Sequence, residues 1–151
     1  MKITFLTGSL EPGRCGVSDY TRLLAKECMQ LGAKTQILAL NDLFTPIKWH
    51  GEIDAVPSTR LPTSMIWSDR WIRAKRIIED FEPDWISIQF VPYAYHSKGI
   101  FKQFLSGIPE LTKKRKVQIK FHEIWIGDYP KAPLKERLIG RWQKKLTRKL
   151  L

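Results

Sequence analysis

The sequence predicts an α/β fold built on a doubly wound, mostly parallel sheet. Short apolar runs at Lys2–Thr7, Lys34–Leu40, Trp85–Val91 and Val117–Phe121 have the length of buried strands. Stretches with helical spacing separate them, and strand–helix–strand units normally place their strands parallel. The composition fits one globular body: 151 residues, 43% hydrophobic and 27% charged. A chain of that length buries about 70% of its unfolded surface without help from metal or disulfides.

Each element has a local reason. Lys2–Thr7 stops at Gly8, and a polar loop from Gly8 to Gly16 follows it. Ser18 has the chemistry of an N-cap and Asp19 puts negative charge in a first turn. Tyr20, Leu23, Leu24, Cys28 and Leu31 then repeat at helical spacing until Gly32. Lys34–Leu40 completes the first strand–helix–strand unit. Asn41–Pro62 holds Pro46, Pro57 and Pro62 and reads as a long connection with a short strand near Ile53–Val56. Ser68 opens a second helix through Phe81, with Trp71, Ala74, Lys75, Ile78 and Phe81 on one face and Pro83 beyond it. Gly99–Leu105 reads as a short helix. From Leu134 to Leu151 the residues Leu134, Leu138, Trp142, Leu146 and Leu150 recur at i+4 among Lys and Arg, which predicts a terminal helix without a C-cap, running off the end. The chain thus divides into a domain over 1–133 and a basic C-terminal helix over 134–151.

The charge is lopsided. Of 26 Lys and Arg, thirteen lie in 113–151 against only Glu123, Asp128 and Glu136, so nearly all of the net +11 sits there. Such clustering points to a phosphate-bearing partner or an anionic membrane, or else to a solvated helix face. Thirteen residues, Trp85–Ser97, form the longest stretch free of Asp, Glu, Lys and Arg, shorter than a membrane span of roughly 18. No signal-peptide pattern is visible. Cys15 and Cys28 have neither C-x-x-C spacing nor histidine partners, so no disulfide framework and no metal site is expected, and a reducing cytoplasm fits best. Cys15, beside Arg14 at a helix start, has the setting of a reactive thiol, whereas Cys28 belongs to the core pattern. Six tryptophans among basic residues could stack on RNA. No RRM, KH or helix-turn-helix signature accompanies them, so nucleic acid is not an expected partner.

Two nucleotide motifs fail at the first loop. Gly8 and Gly13 match half of a P-loop, but Arg14 and Cys15 replace the Lys and Ser/Thr that hold phosphate and magnesium. The dinucleotide fingerprint G-x-G-x-x-G is absent, although Asp42 stands roughly where a ribose-binding acid would. Two readings remain for this loop: amides at a helix start facing a phosphate or sugar hydroxyl, or simply a tight strand-to-helix turn.

Four ordered segments carry a resemblance: Gly13-Arg-Cys-Gly16-Val-Ser-Asp-Tyr20, Pro83-Asp-Trp-Ile-Ser-Ile-Gln-Phe-Val-Pro92-Tyr, the strand ending in His122-Glu123, and Leu138-Ile-Gly-Arg-Trp-Gln143. Together they resemble the N-terminal domain of family 4 retaining glycosyltransferases, which have the GT-B fold. The resemblance covers most of the chain and implies the Rossmann-like, acceptor-binding half of an enzyme that moves a sugar from a nucleotide-sugar donor to a carbohydrate or lipid-linked acceptor. The donor is a substrate, so no cofactor and no metal is implied. The donor-binding domain with its paired glutamates would lie beyond Leu151 or on a partner chain, and this chain alone would be inactive.

By that resemblance, Gly13, Arg14 and Gly16 would form the donor-phosphate loop. His122 would be the catalytic residue approaching the transferred sugar, and Asp19, Tyr93, His96 and Glu123 would contact the acceptor. His122 also reads as a structural side chain at a strand end, and the Tyr93 and Tyr95 rings as inward packing. His50 has no motif around it. A second function stands beside this one: a noncatalytic membrane-docking subunit, peripheral at the inner membrane face, that recruits a donor-binding partner chain.

Overall fold

The computed structural model describes residues 1–150. Its elements are β1 (Lys2–Thr7), α1 (Gly16–Gln30), β2 (Lys34–Asp42), β3 (Trp49–Ile53), β4 (Val56–Pro62), α2 (Trp67–Phe81), β5 (Trp85–Phe90), α3 (Pro92–Tyr95), α4 (Lys102–Thr112), β6 (Lys116–Phe121) and α5 (Leu134–Thr147). Six strands form one open sheet in the order β3-β4-β2-β1-β5-β6. All neighbours are parallel except β3, which runs antiparallel along β4 at the edge. The chain moves from β1 toward β4 and then crosses back to β5 on the other side of β1. The β1/β5 boundary is therefore the topological switch point, where open α/β sheets place ligands at the carboxyl ends of their strands.

Alternating side chains of the strands feed two apolar layers. The smaller one, including Ile3, Phe5, Ile37 and Ala39, packs beneath Ala25 of α1. The larger one joins Leu6, Leu38, Ile86, Ile88 and Phe90 to Ala74 and Ile78 of α2, Phe104 of α4 and Leu146 of α5. Helices thus cover both faces, as the sequence predicts.

Several local expectations are corrected. The connection after β2 is a hairpin: Asp54 and Ala55 both take positive φ, 54° and 65°, and Ile53 pairs with Val56. That is the geometry of a two-residue type I′ turn, usually signalled by Asn-Gly or Asp-Gly, and Asp-Ala conceals it. Ser18 is not an N-cap. The helix starts at Gly16 behind Cys15, and the buried Ser18 hydroxyl donates to the Ser9 carbonyl at 3.0 Å. The α1 face is also rotated from the expected one. Small residues, Thr21 and Ala25, press on the sheet, while Tyr20, Leu23 and Leu31 are exposed. Cys28 is half-buried against the smaller layer, and desolvation raises its thiol pKa.

Helix α2 begins one residue before the expected Ser68, and its inner face carries the buried Arg70 beside Ala74 and Ile78. The short helix expected at Gly99–Leu105 is α4, shifted to Lys102–Thr112. It continues through Gly107 and Pro109, residues that read as breakers, because Gly107 lies flush against the Trp71 ring, where a Cβ would fall 2.0 Å from a ring carbon. The four-residue α3 has no counterpart in the periodicity.

The terminal helix ends at Thr147, and Leu151 lies outside the described residues. Steps of four advance 40° around a helix, so the Leu134–Leu150 series spirals instead of forming one stripe. Leu146 enters the core, while Leu134, Leu138 and Trp142 are 70%, 49% and 47% exposed. The buried face is Gly140, Gln143, Leu146 and Thr147. Gly140 lies against the Ile126 carbonyl, and the Gln143 side-chain oxygen accepts the Ile126 N–H at 2.9 Å. No helix among the described residues is long and apolar enough to cross a membrane.

Candidate functional site

A cavity of about 540 Å³ opens at the switch point, over the carboxyl ends of β1, β2, β5 and β6. The loop leaving β1 forms one wall, and a buried carboxylate fixes that loop. Asp42, fully buried at the end of β2, accepts the Leu10 N–H at 2.9 Å and the Phe44 N–H at 2.9 Å. It also holds the Arg60 guanidinium at 2.8 and 3.1 Å, and Arg60 reaches on to Glu11 at 2.7 Å. The Asp42 hydrogen bonds lead the causes that raise the Arg60 pKa. Asp42 is therefore occupied by protein groups and does not serve as a ribose-binding acid.

The far end of the loop is tied to α1. Gly13, at φ 70°, donates its N–H to Asp19 Oδ1 at 3.0 Å, and that bond, with Arg22 beside it, holds the Asp19 carboxyl below the usual range. Arg22 binds Asp19 at 2.5 Å and also pairs with Asp54. At the near end, Gly8 packs on α3 so closely that a Cβ would meet the Ala94 Cβ at 2.6 Å. Asn41 holds the same contact by donating to the Ala94 carbonyl at 2.8 Å, and buried Arg70 orients Asn41 through its side-chain oxygen.

Helix α1 enters this cavity without a side-chain cap. Gly16 and Val17 of its first turn line the cavity together with Arg14 and Cys15. First-turn N–H groups have no intrahelical acceptor, and the helix dipole adds positive potential, so this wall can donate to an anion or an oxygen acceptor.

His122 stands on the opposite wall at the end of β6, with Glu123 after it. Its backbone N–H donates to the Phe90 carbonyl at 3.0 Å, and the Tyr20 ring meets the imidazole edge-on at 5.0 Å. Its Nε2 lies 3.0 Å from the Gln89 side-chain oxygen. Gln89, fully buried, donates to Ser87 at 2.9 Å, and Ser87 donates to Gln118 at 2.6 Å. This run assigns the proton to Nε2 and leaves Nδ1 as an acceptor, without a hydrogen-bond partner among the described residues.

Burial holds the His122 pKa below the ordinary histidine value, and the Lys120 charge pushes it the same way. As pH falls through about 6.5, the unfolded chain takes up this proton before the folded one, so stability declines and levels off below the folded-state pKa. The His122→Gln variant is expected to show a shallower loss of stability between about pH 7 and 5 than the parent in urea titrations. Equal slopes would contradict a depressed His122.

The cavity brings together Arg14, Gly16, Tyr93, His122 and Glu123 of the residues singled out from the sequence. It leaves out three. The N–H of Gly13 is engaged by Asp19, and Asp19 faces the loop and Arg22. His96 closes the turn after α3, its Nδ1 accepting the Lys98 and Ile100 N–H groups at 3.1 and 3.3 Å. Tyr95 is buried, stacked 3.8 Å from Phe104, and burial raises its hydroxyl pKa. Sequence reasoning missed Asn41, at the end of β2, and Leu43 and Phe44, which follow that strand and form an apolar lip with Tyr93. It also missed the Ser87–Gln89 ladder, although the polar positions alternating with Ile86, Ile88 and Phe90 in an otherwise buried strand were a readable signal. Among the described residues no group of three or more His, Cys, Asp or Glu is placed to hold a metal ion. No family model matches the chain, and no curated protein matches it either.

Proposed function

We propose that the chain is the acceptor-side half of a nucleotide-sugar-dependent glycosyltransferase of the GT-B kind, its cleft completed by a donor-binding domain or partner chain. One observation carries the reading: the uncapped start of α1 and the His122 imidazole open into the same cavity at the switch point. The reaction breaks the bond between the anomeric carbon and the nucleoside diphosphate and forms one to an acceptor hydroxyl, whose proton leaves with the diphosphate. Negative charge grows on the diphosphate as that bond breaks. Gly16 and Val17, whose first-turn amides have no intrahelical acceptor, line the cavity with Arg14 and supply donors for such a charge. His122 Nδ1 accepts a hydrogen bond from a hydroxyl of the transferred sugar, and its neutral form at pH 7 suits that role. Glu123 and Tyr93 border the acceptor, whose apolar part rests on Leu43 and Phe44.

Inorganic pyrophosphate tests the anion wall. Titrated into the labelled protein, it is expected to move the amide signals of Gly16, Val17 and Ser18 and the His122 ring, and Arg14→Ala is expected to weaken that response. Shifts confined to the lysine-rich segments would overturn the assignment. In a complete two-domain enzyme, His122→Ala is expected to lower kcat by about 10- to 100-fold, the worth of one hydrogen bond made in the transition state. Tight binding of an intact nucleotide sugar by this chain alone would contradict the division of labour.

A further inference from the structure

We infer that the outer face of α5, with the groove between it and α4, docks the domain on an anionic lipid bilayer. The groove is about 650 Å³ and lies away from the switch-point cavity, lined by Lys102, Leu105, Trp142, Lys145 and Lys149 among others. Trp142 is half-exposed at its centre, with the Lys102 ammonium 5.0 Å and the Lys145 ammonium 5.7 Å from the ring. Leu134 and Leu138 continue the exposed apolar series along the same helix, opposite the buried Gly140, Gln143 and Thr147.

Charge selects the occupant. Every acidic side chain around this face has a partner of its own: Asp128 binds Lys144 at 2.9 Å, Glu136 binds the Tyr129 hydroxyl at 2.7 Å, and Glu110 binds Lys75 at 2.7 Å. Lys102, Lys145 and Lys149 pair with no carboxylate among the described residues. Half-exposed tryptophan flanked by ammonium groups, with leucines on the same side, is the chemistry of a headgroup interface: lysines meet lipid phosphate while indole and leucine enter the acyl boundary. A protein partner would also bury the Leu134–Leu138–Trp142 series, but ammonium groups that flank the indole and pair with no carboxylate among the described residues match the phosphate layer above an acyl boundary.

Flotation of the full chain with vesicles decides it. Vesicles of phosphatidylcholine with roughly one-third phosphatidylglycerol are expected to retain the protein at low salt, and pure phosphatidylcholine is not. Each lysine near the surface contributes about five-fold to partitioning, so Lys145→Glu with Lys149→Glu is expected to weaken retention by at least about 25-fold. Trp142→Ala is expected to weaken it without any change of charge. The control pair, Lys113→Glu with Lys114→Glu, makes the same charge change at the far end of α4 and is expected to lose much less. Equal losses from the two pairs would replace a docking face with net charge alone. Absence of retention by anionic vesicles, or retention unaffected by Trp142→Ala, would overturn the proposal. Far-UV circular dichroism of these exposed-site variants separates lost docking from lost folding.

Discussion

Replacing Asp42 by alanine is expected to destabilise the protein by about 3–5 kcal/mol, measured as a fall in the urea midpoint. Three interactions fail together. Arg60, 9% exposed, loses the buried one of its two carboxylate partners, and the N–H groups of Leu10 and Phe44 lose their acceptor. The guanidinium keeps only the more exposed Glu11 as counter-charge, so the lost buried partner and the two unsatisfied N–H groups together account for the cost. The double variant Asp42→Ala, Arg60→Met is expected to recover part of the loss, because it also removes a guanidinium left with only its outer partner, Glu11. Loss of the Asp42 clamp also frees the Gly8–Cys15 loop at its middle, so the response of the Gly16 and Val17 amides to pyrophosphate is expected to broaden or vanish even where the variant remains folded. An unchanged midpoint would mean that the Asp42–Arg60 pair contributes nothing to the folded state.

The second large effect is expected at Phe90. Its ring is fully buried at the end of β5, with ring centroids of Phe101 at 4.8 Å, Phe121 at 5.5 Å, Tyr95 at 6.2 Å and Phe104 at 6.3 Å. Those partners come from β6, from α3 and α4 and from the segment between those two helices, so Phe90 is where three successive connections meet the sheet. Phe90→Ala is expected to cost about 3–5 kcal/mol, the range for deleting a buried aromatic ring, and Phe90→Leu about 1–2 kcal/mol. The Phe90 carbonyl accepts the His122 N–H at 3.0 Å, so the alanine variant is also expected to shift the His122 ring signals. A cost below about 1 kcal/mol would mean that the cluster collapses around the gap.

The parts legible in the sequence were those governed by short-range pattern. β1 and β5 appear within one residue of their apolar runs and β2 runs only two residues further, because a buried parallel strand is a continuous apolar segment bounded by breakers. β6 also lies within one residue of its run, but as an exposed edge strand rather than the buried one its sequence suggests. The switch-point location of Gly16, Arg14, Tyr93 and His122 follows from strand order, and the ordered motifs supplied those residues. What remained hidden depends on tertiary contact. Asp54-Ala55 turns a hairpin because β4 has a parallel partner in β2, and no residue type announces it. The faces of α1 and α5 were misread because large apolar residues are the visible signal. The actual contacts are made by Thr21, Ala25, Gly140 and Gln143, whose small size or hydrogen bonds allow close approach. Asp19 and His96 have side chains suited to a sugar, yet Gly13 and the turn after α3 claim them first.

The bare first turn of α1 also bears on how the protein should respond to heat and to hydrogen exchange. A serine or aspartate acting as cap there would be worth about 1 kcal/mol to the helix, and the side chain of Cys15 does not supply that stabilisation. The amides of Gly16 and Val17 should accordingly be among the fastest-exchanging helical positions in the free protein and among the most strongly slowed when an anion is bound. At a hundred times its Kd, a ligand confined to the folded state adds about 2.7 kcal/mol, so the melting temperature becomes a readout of occupancy. A ligand bound at α1 would thus be its missing cap, and the Tm of the protein would report the concentration of whatever completes that helix.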